Sequence, residues 1–573
     1  MIKKYFKPSA LVFSFLISAS LLSGCTSEEA AVAVKPNETL ITLSENNIGI
    51  EYGSETGLND AVTATNDIVY YEDRDTYESG HAYGEGEDDD KHSAEDADAH
   101  TVLNITKAGT YRLTGSLPKG QVRVDLGEEA SSDPSAVVTL ILDNADISCE
   151  VAPAILFMNV YECDNEWTEE TASSEVDTSA AGANIIIADG SKNTVNGSHV
   201  AKIYKDGGEE KKLFKQDGAV YSYMSMNITG EENGSGILDI TSDNEGLDTE
   251  LHLTINGGNI NIRSDNDGIN TNEDGVSVTT INGGDIHIIA GLGEEGDGID
   301  SNGWLVINGG TVVASANPAA DAGLDSDMGS FINGGTVVAL GSTMDWAESD
   351  SDQITMNLQF AEYKSSDSAI IVTKEDGTSV FAYAPSEDEV VGENIRKYRG
   401  AVISSPAFSL EESYNVYIGG TVTGEESAGI YDTSTITAFD GALIQAYTGT
   451  DVIRGFGGGM MRPDPEWNNK MPEGMELPEG IELDENGRPV LPEGERPTPP
   501  EGFEKEGKQG EGMPKREDME LDENGKPVLP EGFEISEGGF PGEIGNRENE
   551  NTIFFMQDKV NFFSGLADAS LTE

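Results

Sequence analysis

Between residues 231 and 340 the sequence places 19 Asp and Glu against a single basic residue, Arg263. The acids recur in matching places: "SDNEG" at 242 returns as "SDNDG" at 264, and "TINGG" at 254 returns at 280. Carboxylates brought together without counter-charges repel one another. Hard divalent cations relieve that repulsion, and Ca²⁺ takes roughly six to eight oxygens from Asp, Glu, Asn and backbone carbonyls. The candidate ligands are Asp243, Glu245, Asp248, Asp265, Asp267, Asp297, Asp300, Asp321, Asp325 and Asp327. The competing reading is that these are solvated turn residues, since Asp and Asn suit turns. Asp, rather than Asn or Ser, at successive corners favours the cation.

The elements that must position these groups follow from the period. "NGG" falls at Asn256, Asn282, Asn308 and Asn333, spaced 26, 26 and 25 residues apart. A second marker lies between the copies: "EGLDT" at 245, "DGINT" at 267, "DGIDS" at 297 and "AGLDS" at 322. A period in the twenties means one supersecondary unit per repeat, stacked on its neighbours. The strands after each NGG are short and alternate. Ile260, Ile286, Val312 and Val337 form one inward column and Ile262, Ile288, Ala314 and Ala339 the next, with Asn259, Asp285, Thr311 and Thr336 outside. No helical periodicity interrupts them. The spacing predicts an all-β fold, a parallel β-helix with Gly supplying positive φ at its corners, over about 101–350.

The rest of the chain sets the context. Lys3, Lys4 and Lys7 precede an apolar run, Ala10 to Leu22, that ends in Leu22-Ser23-Gly24-Cys25. This reads as a secretory signal over 1–24 with Cys25 as the lipidated N-terminus, which puts the protein on the extracellular face of a bacterial membrane, held by lipid alone. The formal charge of −71 becomes −74 once those three lysines are removed. Such a polyanion excludes nucleic acid and anionic membrane surfaces as partners. Cys149 and Cys163 are either a disulfide or two buried thiols. Residues 25–100 read as a tether and acidic loop; its His81, His92 and His100 match no metal-ligand spacing, and a solvated loop is the simpler reading. Residues 351–455 read as a β region closing the domain, with a hairpin across Asp376-Gly377. Residues 456–550 are rich in Pro, Glu and Gly and carry "ELDENGRPVLPEG" and "ELDENGKPVLPEG", the composition of a disordered insertion. Residues 551–573 hold Phe554, Phe555, Phe562 and Phe563 and read as a terminal strand of the β domain.

The order "TVLNITKAGTYRLTG", "TLILDNADI", "APAILF", "ANIIIADGSKNTVNG", "DGAVYS" and then repeated "INGG" and "DGI" units resembles the bacterial cell-surface carbohydrate-binding β-helix family. Its members are similar in shape to pectate lyases and act as calcium-containing binders of acidic plant polysaccharide and cellulose. The resemblance covers about 101–450 and 551–565. It implies a right-handed parallel β-helix, bound Ca²⁺ and a plant or cell-wall polysaccharide partner, with no catalysis. Ala322 stands where the last "DGI" unit expects Asp.

A chain this acidic binds polygalacturonate only through bridging Ca²⁺, and we expect it to do so as a monomer. Neutral glycan needs aromatic platforms instead. Trp304, in one column with His252 and Val278, is either an exposed stacking surface or a core residue; Tyr221 and Tyr223 are weaker candidates. The alternative class is a lyase, in which Arg263 is the one basic residue of these repeats available as a base; otherwise it is an ion-pair partner. A third class is a structural adhesin or spacer. No nucleophile elbow, P-loop or dinucleotide fingerprint occurs.

Overall fold

Residues 259–264, "NINIRS", show why the repeats form strands. Their side chains alternate between half-buried and buried along Asn259–Ser264, as one face turned to a core requires. Each repeat supplies one strand to each of three parallel ladders. The first ladder runs through Gly218–Ser222, Glu245–Thr249, Ile269–Thr271 and Ile299–Ser301. The second runs through Met226–Gly230, Leu253–Ile255, Val278–Ile281, Trp304–Ile307 and Gly329–Ile332. The third runs through Ile237–Ser242, Asn259–Ser264, Asp285–Ile289, Thr311–Ser315 and Thr336–Gly341. The chain is nearly all β, and the one α-helix among the described residues is Ala94–Asp98. The computed structural model describes residues 34–70 apart from 46, residues 91–447 apart from 165–167, 169–170, 205–211, 366–367 and 386–396, and residues 482–483, 489–490, 550–551 and 554–568. The signal, Cys25, His81 and most of 456–550 lie outside them.

Register puts like residues on like. Ile260 pairs with Ile286, Val312 and Val337 in succession, and Ile262 with Ile288, Ala314 and Ala339, all at most 3% exposed. Burying each Ile contributes about 1.5–3 kcal/mol, so the columns form the main stabilising core. Two glycine roles hold the corners tight. The second Gly of each NGG has positive φ, 104° at Gly258 and 101° at Gly284, where only Gly is unstrained. The Gly of each "DGI" unit is a packing residue: a Cβ on Gly268 would press on Ile288 Cγ2 and on the Gly298 carbonyl oxygen. The Asn of each NGG adds a side-chain ladder. Asn282, Asn308 and Asn333 each donate Nδ2 to the Asn Oδ1 one repeat before, at 2.9, 2.9 and 3.0 Å.

Antiparallel pairing covers the parallel edge of the first ladder at one end of the stack and of the third ladder at the other. Val62–Thr65 pairs antiparallel with Thr101–Ile105, and Tyr398–Ser404 pairs antiparallel with Thr336–Gly341. Thr355–Lys364 then pairs with Tyr398–Ser404 and, in parallel, with Val560–Asp568. The expected hairpin is present, Ile370–Lys374 against Ser379–Tyr383, with Gly377 at φ 86°. Two expectations need correcting. The segment read as tether and loop contains the strands Glu38–Leu43, Gly49–Tyr52 and Val62–Thr65; their short alternations carry no repeat marker. Of the four terminal phenylalanines, Phe554 is buried, but Phe555 and Phe562 are 46% and 39% exposed. Phe555 stands opposite Ser413 and Phe562 opposite Asn357, on strands whose alternate residues Phe554 and Phe563 pack into the second core, and Phe562 meets Trp346 edge-on at 4.8 Å. Cys149 and Cys163 are free thiols, both pushed up to about 12 by burial. Among the described residues no helix is long and apolar enough to cross a membrane.

One ion cluster ties the N-terminal strand to the stack. Arg112, 4% exposed, bonds Glu38 at 2.8 Å, Asp143 at 2.9 Å and Glu231 at 3.1 Å. Burial pulls Glu38 upward, but the Arg112 hydrogen bond and charge outweigh it and hold the carboxyl below its usual range. Replacing Arg112 by Met leaves those acids without their partner. The expected cost is about 3–5 kcal/mol, read as a lower midpoint in urea unfolding. Gly268→Ala is expected to cost about 1–3 kcal/mol through overpacking; a melting temperature equal to wild type removes the packing role assigned to that glycine.

Candidate functional site

The first ladder builds the acidic site. Its inward residues Leu247, Ile269 and Ile299 are fully buried. The next position outward runs Tyr221, Asp248, Asn270 and Asp300 in register. The strand starts stack as well. Gly246 N, Gly268 N and Gly298 N donate to the carbonyls of Asp267, Asp297 and Ala322, so Glu245, Asp267, Asp297 and Ala322 share one column. Asp248 is 0%, Glu245 2%, Asn270 5% and Asp267 8% exposed. Three of these are covered acids and the fourth a covered amide, so the competing reading of solvated turn residues does not describe them.

Hydrogen bonds hold the column. Asn270 Nδ2 donates to Glu245 Oε1 at 3.0 Å, and Asn272 Nδ2 to Asp248 Oδ1 at 2.5 Å. The Asp297 backbone N–H donates to Asp267 Oδ1, and that of Ala322 to Asp297 Oδ1, both at 2.6 Å. Burial pushes Asp267 well above the usual carboxylate range, and Glu245, Asp300 and Asp297 push it further. Asp297 is pushed up to about 8 by burial and then by Asp325, Asp300 and Asp321. Asp325 is raised by burial and Asp321. The charges named in each case are other carboxylates.

The structure therefore brings together Glu245, Asp248, Asp267, Asp297, Asp300, Asp321 and Asp325. Two predicted ligands lie apart. Asp243 accepts from Ser198 Oγ at 2.6 Å and meets His199 Nδ1 at 3.1 Å, and Asp265, raised by burial and by Asp243, shares that corner. Asp327, raised by burial and then by the charges of Asp325 and Asp274, adjoins the group. Among the described residues no three His, Cys, Asp or Glu side chains already converge on one point as a metal site. The donors nevertheless suit a hard cation in kind. Asn270 Oδ1, buried within the column, has no hydrogen-bond partner, and a buried acceptor left so costs about 1–3 kcal/mol. Asn270 and Asn272 were missed by a reading that looked for charge; their signal was the register, since Asn270 stands where the neighbouring repeats have Asp.

The aromatic candidates do not form platforms. Trp304, 8% exposed, packs with Val278 and Val306 beneath Ala172 and Val176 of a strap from the 161–182 segment. His252, 1% exposed, accepts from the Val278 backbone N–H at 3.1 Å and faces Asp164 Oδ2 at 3.3 Å. Both are corrected from ligand-binding to structural, because the strap covers that sheet face. Tyr221 is also fully buried, donating to Glu250 Oε1 at 2.9 Å, while Tyr223 is half-buried. In the acidic segment His100 is buried, with Nδ1 bonded to the Asp96 carbonyl and Nε2 accepting from Glu150 N–H; it anchors the segment rather than lying in solvent.

Arg263, read from the sequence as a lyase base or an ion-pair partner, stands on a surface that the strap does not cover. It lines a groove of about 910 Å³ over the outer face of the third ladder, together with Lys192, Asp239, Asn261, Asp285 and His287. The groove's far wall is Glu426, Ser427 and Ala428, the tip of a hairpin from the C-terminal β region. Asp239 is held by Asn261 Nδ2 at 2.8 Å and Lys192 Nζ at 3.4 Å. The outward alternation Asp239, Asn261, His287 was readable in the repeats; the hairpin wall, more than 130 residues on in the chain, was not.

A family model described as "Carbohydrate-binding domain-containing protein" matches residues 99–181 and 167–377. A solved structure, a polysaccharide lyase-like protein from C. thermocellum in a gadolinium derivative, is similar at 19% identity with a TM-score of 0.31, over 52% of this chain and 92% of that chain. At that level the likeness bears on nothing beyond itself. No curated protein matches. The family match supports a carbohydrate-binding family and, with it, a polysaccharide as the class of ligand.

Proposed function

We propose that this chain is a surface-displayed, non-catalytic binder of an acidic, pectin-type polysaccharide, built as a right-handed parallel β-helix and dependent on Ca²⁺, with Cys25 carrying a lipid anchor. The observation behind it is the buried acidic column of the first ladder, where Glu245, Asp267 and Asp297 stack in register beside Asp248, Asn270 and Asp300. Those six side chains would hold the ion, which would neutralise their mutual repulsion. The family match supports the carbohydrate half of the reading.

The chain's own residues set the pH behaviour. Asp297 holds its proton to about 8 in the folded chain, whereas an unfolded Asp releases it near 4. The folded state thus binds more protons across that window, and stability without metal falls as pH rises through it. The depressed Glu38 and Glu231 are fully ionised well below it and contribute no slope there. In EDTA the melting temperature is expected to drop from about pH 7 to about pH 8, above the range where histidine titrates. Added Ca²⁺, displacing those protons, is expected to raise it more at the higher pH. Asp297→Asn reduces both responses, with Asp267 retaining its own share. A melting temperature that is level with pH and indifferent to Ca²⁺ removes the cation from the reading.

One observation favours a second reading, a polysaccharide lyase: Arg263 and Lys192 line the same groove. Affinity electrophoresis in gels cast with polygalacturonate, with Ca²⁺ or with EDTA, tests the first. Retardation that vanishes in EDTA is expected. Release of unsaturated uronide, read by ultraviolet absorbance, moves the assignment to the lyase. No retardation in polygalacturonate or in a neutral glucan leaves a structural adhesin or spacer.

A further inference from the structure

We propose that the groove between the third ladder and the 426–428 hairpin tip is the glycan site, and that it selects a linear, uronate-bearing chain over a neutral glucan. This rests on the polysaccharide-binding reading above. The groove's long direction crosses rungs. Lys192, Ile237, Asn259 and Asp285 occupy one register position on four successive strands, and rungs lie about 4.8 Å apart, so the floor suits an extended polymer running along the stack.

The lining identifies the ligand's chemistry. Asp239, Asn261, Asp285 and Glu426 present planar acceptors and donors, the groups that pair with adjacent hydroxyls on a sugar ring. The permanent cations in the lining are Lys192 and Arg263, and its one ring is the His287 imidazole; it holds no Trp, Tyr or Phe. Neutral glucans rely on stacking against such broad aromatic faces for affinity, and this floor offers none of them. A carboxylate on the sugar, by contrast, meets a guanidinium fork with bidentate geometry.

The hairpin tip is built for position. Glu426 pairs with Tyr431 and Ser427 with Ile430, leaving Ala428 and Gly429 as the turn, at φ 48° and 77°. An Ala held at positive φ is strained, and strain of this kind persists where surroundings enforce it. Glu426 Oε2 accepts from Gly429 N–H at 2.8 Å, which fixes the turn and sets that carboxylate on the groove wall. The wall comes from the C-terminal β region, so a chain ending at the last rung would lack the complete site.

The test is affinity electrophoresis of the full mature chain and of Arg263→Gln and Lys192→Gln, in polygalacturonate and in a neutral glucan, with Ca²⁺ present. Lys192 is 71% exposed, so its replacement leaves folding intact even where Arg263→Gln does not; Lys374→Gln, outside the groove lining and at the turn end of a hairpin whose opposite end, Tyr383, pairs with the wall hairpin, controls for loss of charge. Losing one charged hydrogen bond to the ligand is expected to weaken retardation about tenfold in Arg263→Gln and less in Lys192→Gln, with Lys374→Gln unchanged and no retardation of any form by the glucan. Wild-type retardation with both groove variants retarded equally overturns this site while leaving the calcium-dependent binder standing. Glucan retardation that matches polygalacturonate overturns the selectivity. A wild-type chain that no gel retards overturns both readings.

Discussion

The in-register parallel stack is the constraint on which the rest depends. Parallel ladders at about 4.8 Å place each residue over its counterpart one repeat earlier, so any property of one repeat is multiplied along the axis. For Ile260, Ile286, Val312 and Val337 the multiplication is favourable and makes a continuous core. For Asn256, Asn282, Asn308 and Asn333 it makes a ladder of amides, each donating to the last. For Glu245, Asp267 and Asp297 it makes a column of like charges under cover, which is unfavourable unless protons or a cation intervene.

The same constraint explains how the molecule divides its surfaces. The second ladder's outer face carries Val278, Trp304 and Val306 and is closed by a strap, fastened where Thr178 Oγ1 donates to Thr254 Oγ1 at 2.7 Å and Asn227 Nδ2 to the Thr178 carbonyl at 2.8 Å. The first ladder's face holds the acids. The third ladder's face is left open, with polar side chains alternating against the core, and a groove can form only where another element rises beside it. The antiparallel strands that end the stack supply that element, because they carry the chain back into a second core of Phe360, Tyr383, Tyr414 and Phe554 from which the 426–428 hairpin projects.

Much of this was legible in the residues. The period of the NGG and DGI markers, the short alternating strands and the absence of helical patterning led to short strands stacked repeat on repeat, and the inward columns named from alternation are the ones buried; that the strands form three ladders is seen only in the structure. Positive φ at Gly258 and Gly284 was readable from NGG. The site was legible only in part. The list of acids contains the seven that gather on the first ladder, but it also contains Asp243 and Asp265, which share another corner, and Asp327, which adjoins the group through Asp325; spacing along a chain does not record which way a corner residue faces. Trp304 and His252 were named for a column that exists, yet the strap from 161–182 buries it.

By itself the sequence determined what repeats: the period, the strand-forming alternation, the acidity and the glycines that tight corners demand. These are local properties, set by backbone sterics and side-chain polarity over spans of one rung. Tertiary structure alone decided which faces are covered. The strap over Trp304 comes from a segment more than 120 residues earlier, and the wall beside Arg263 from one more than 160 residues later. Exposure is a property of everything that packs against a surface, and no window of the chain holds both partners.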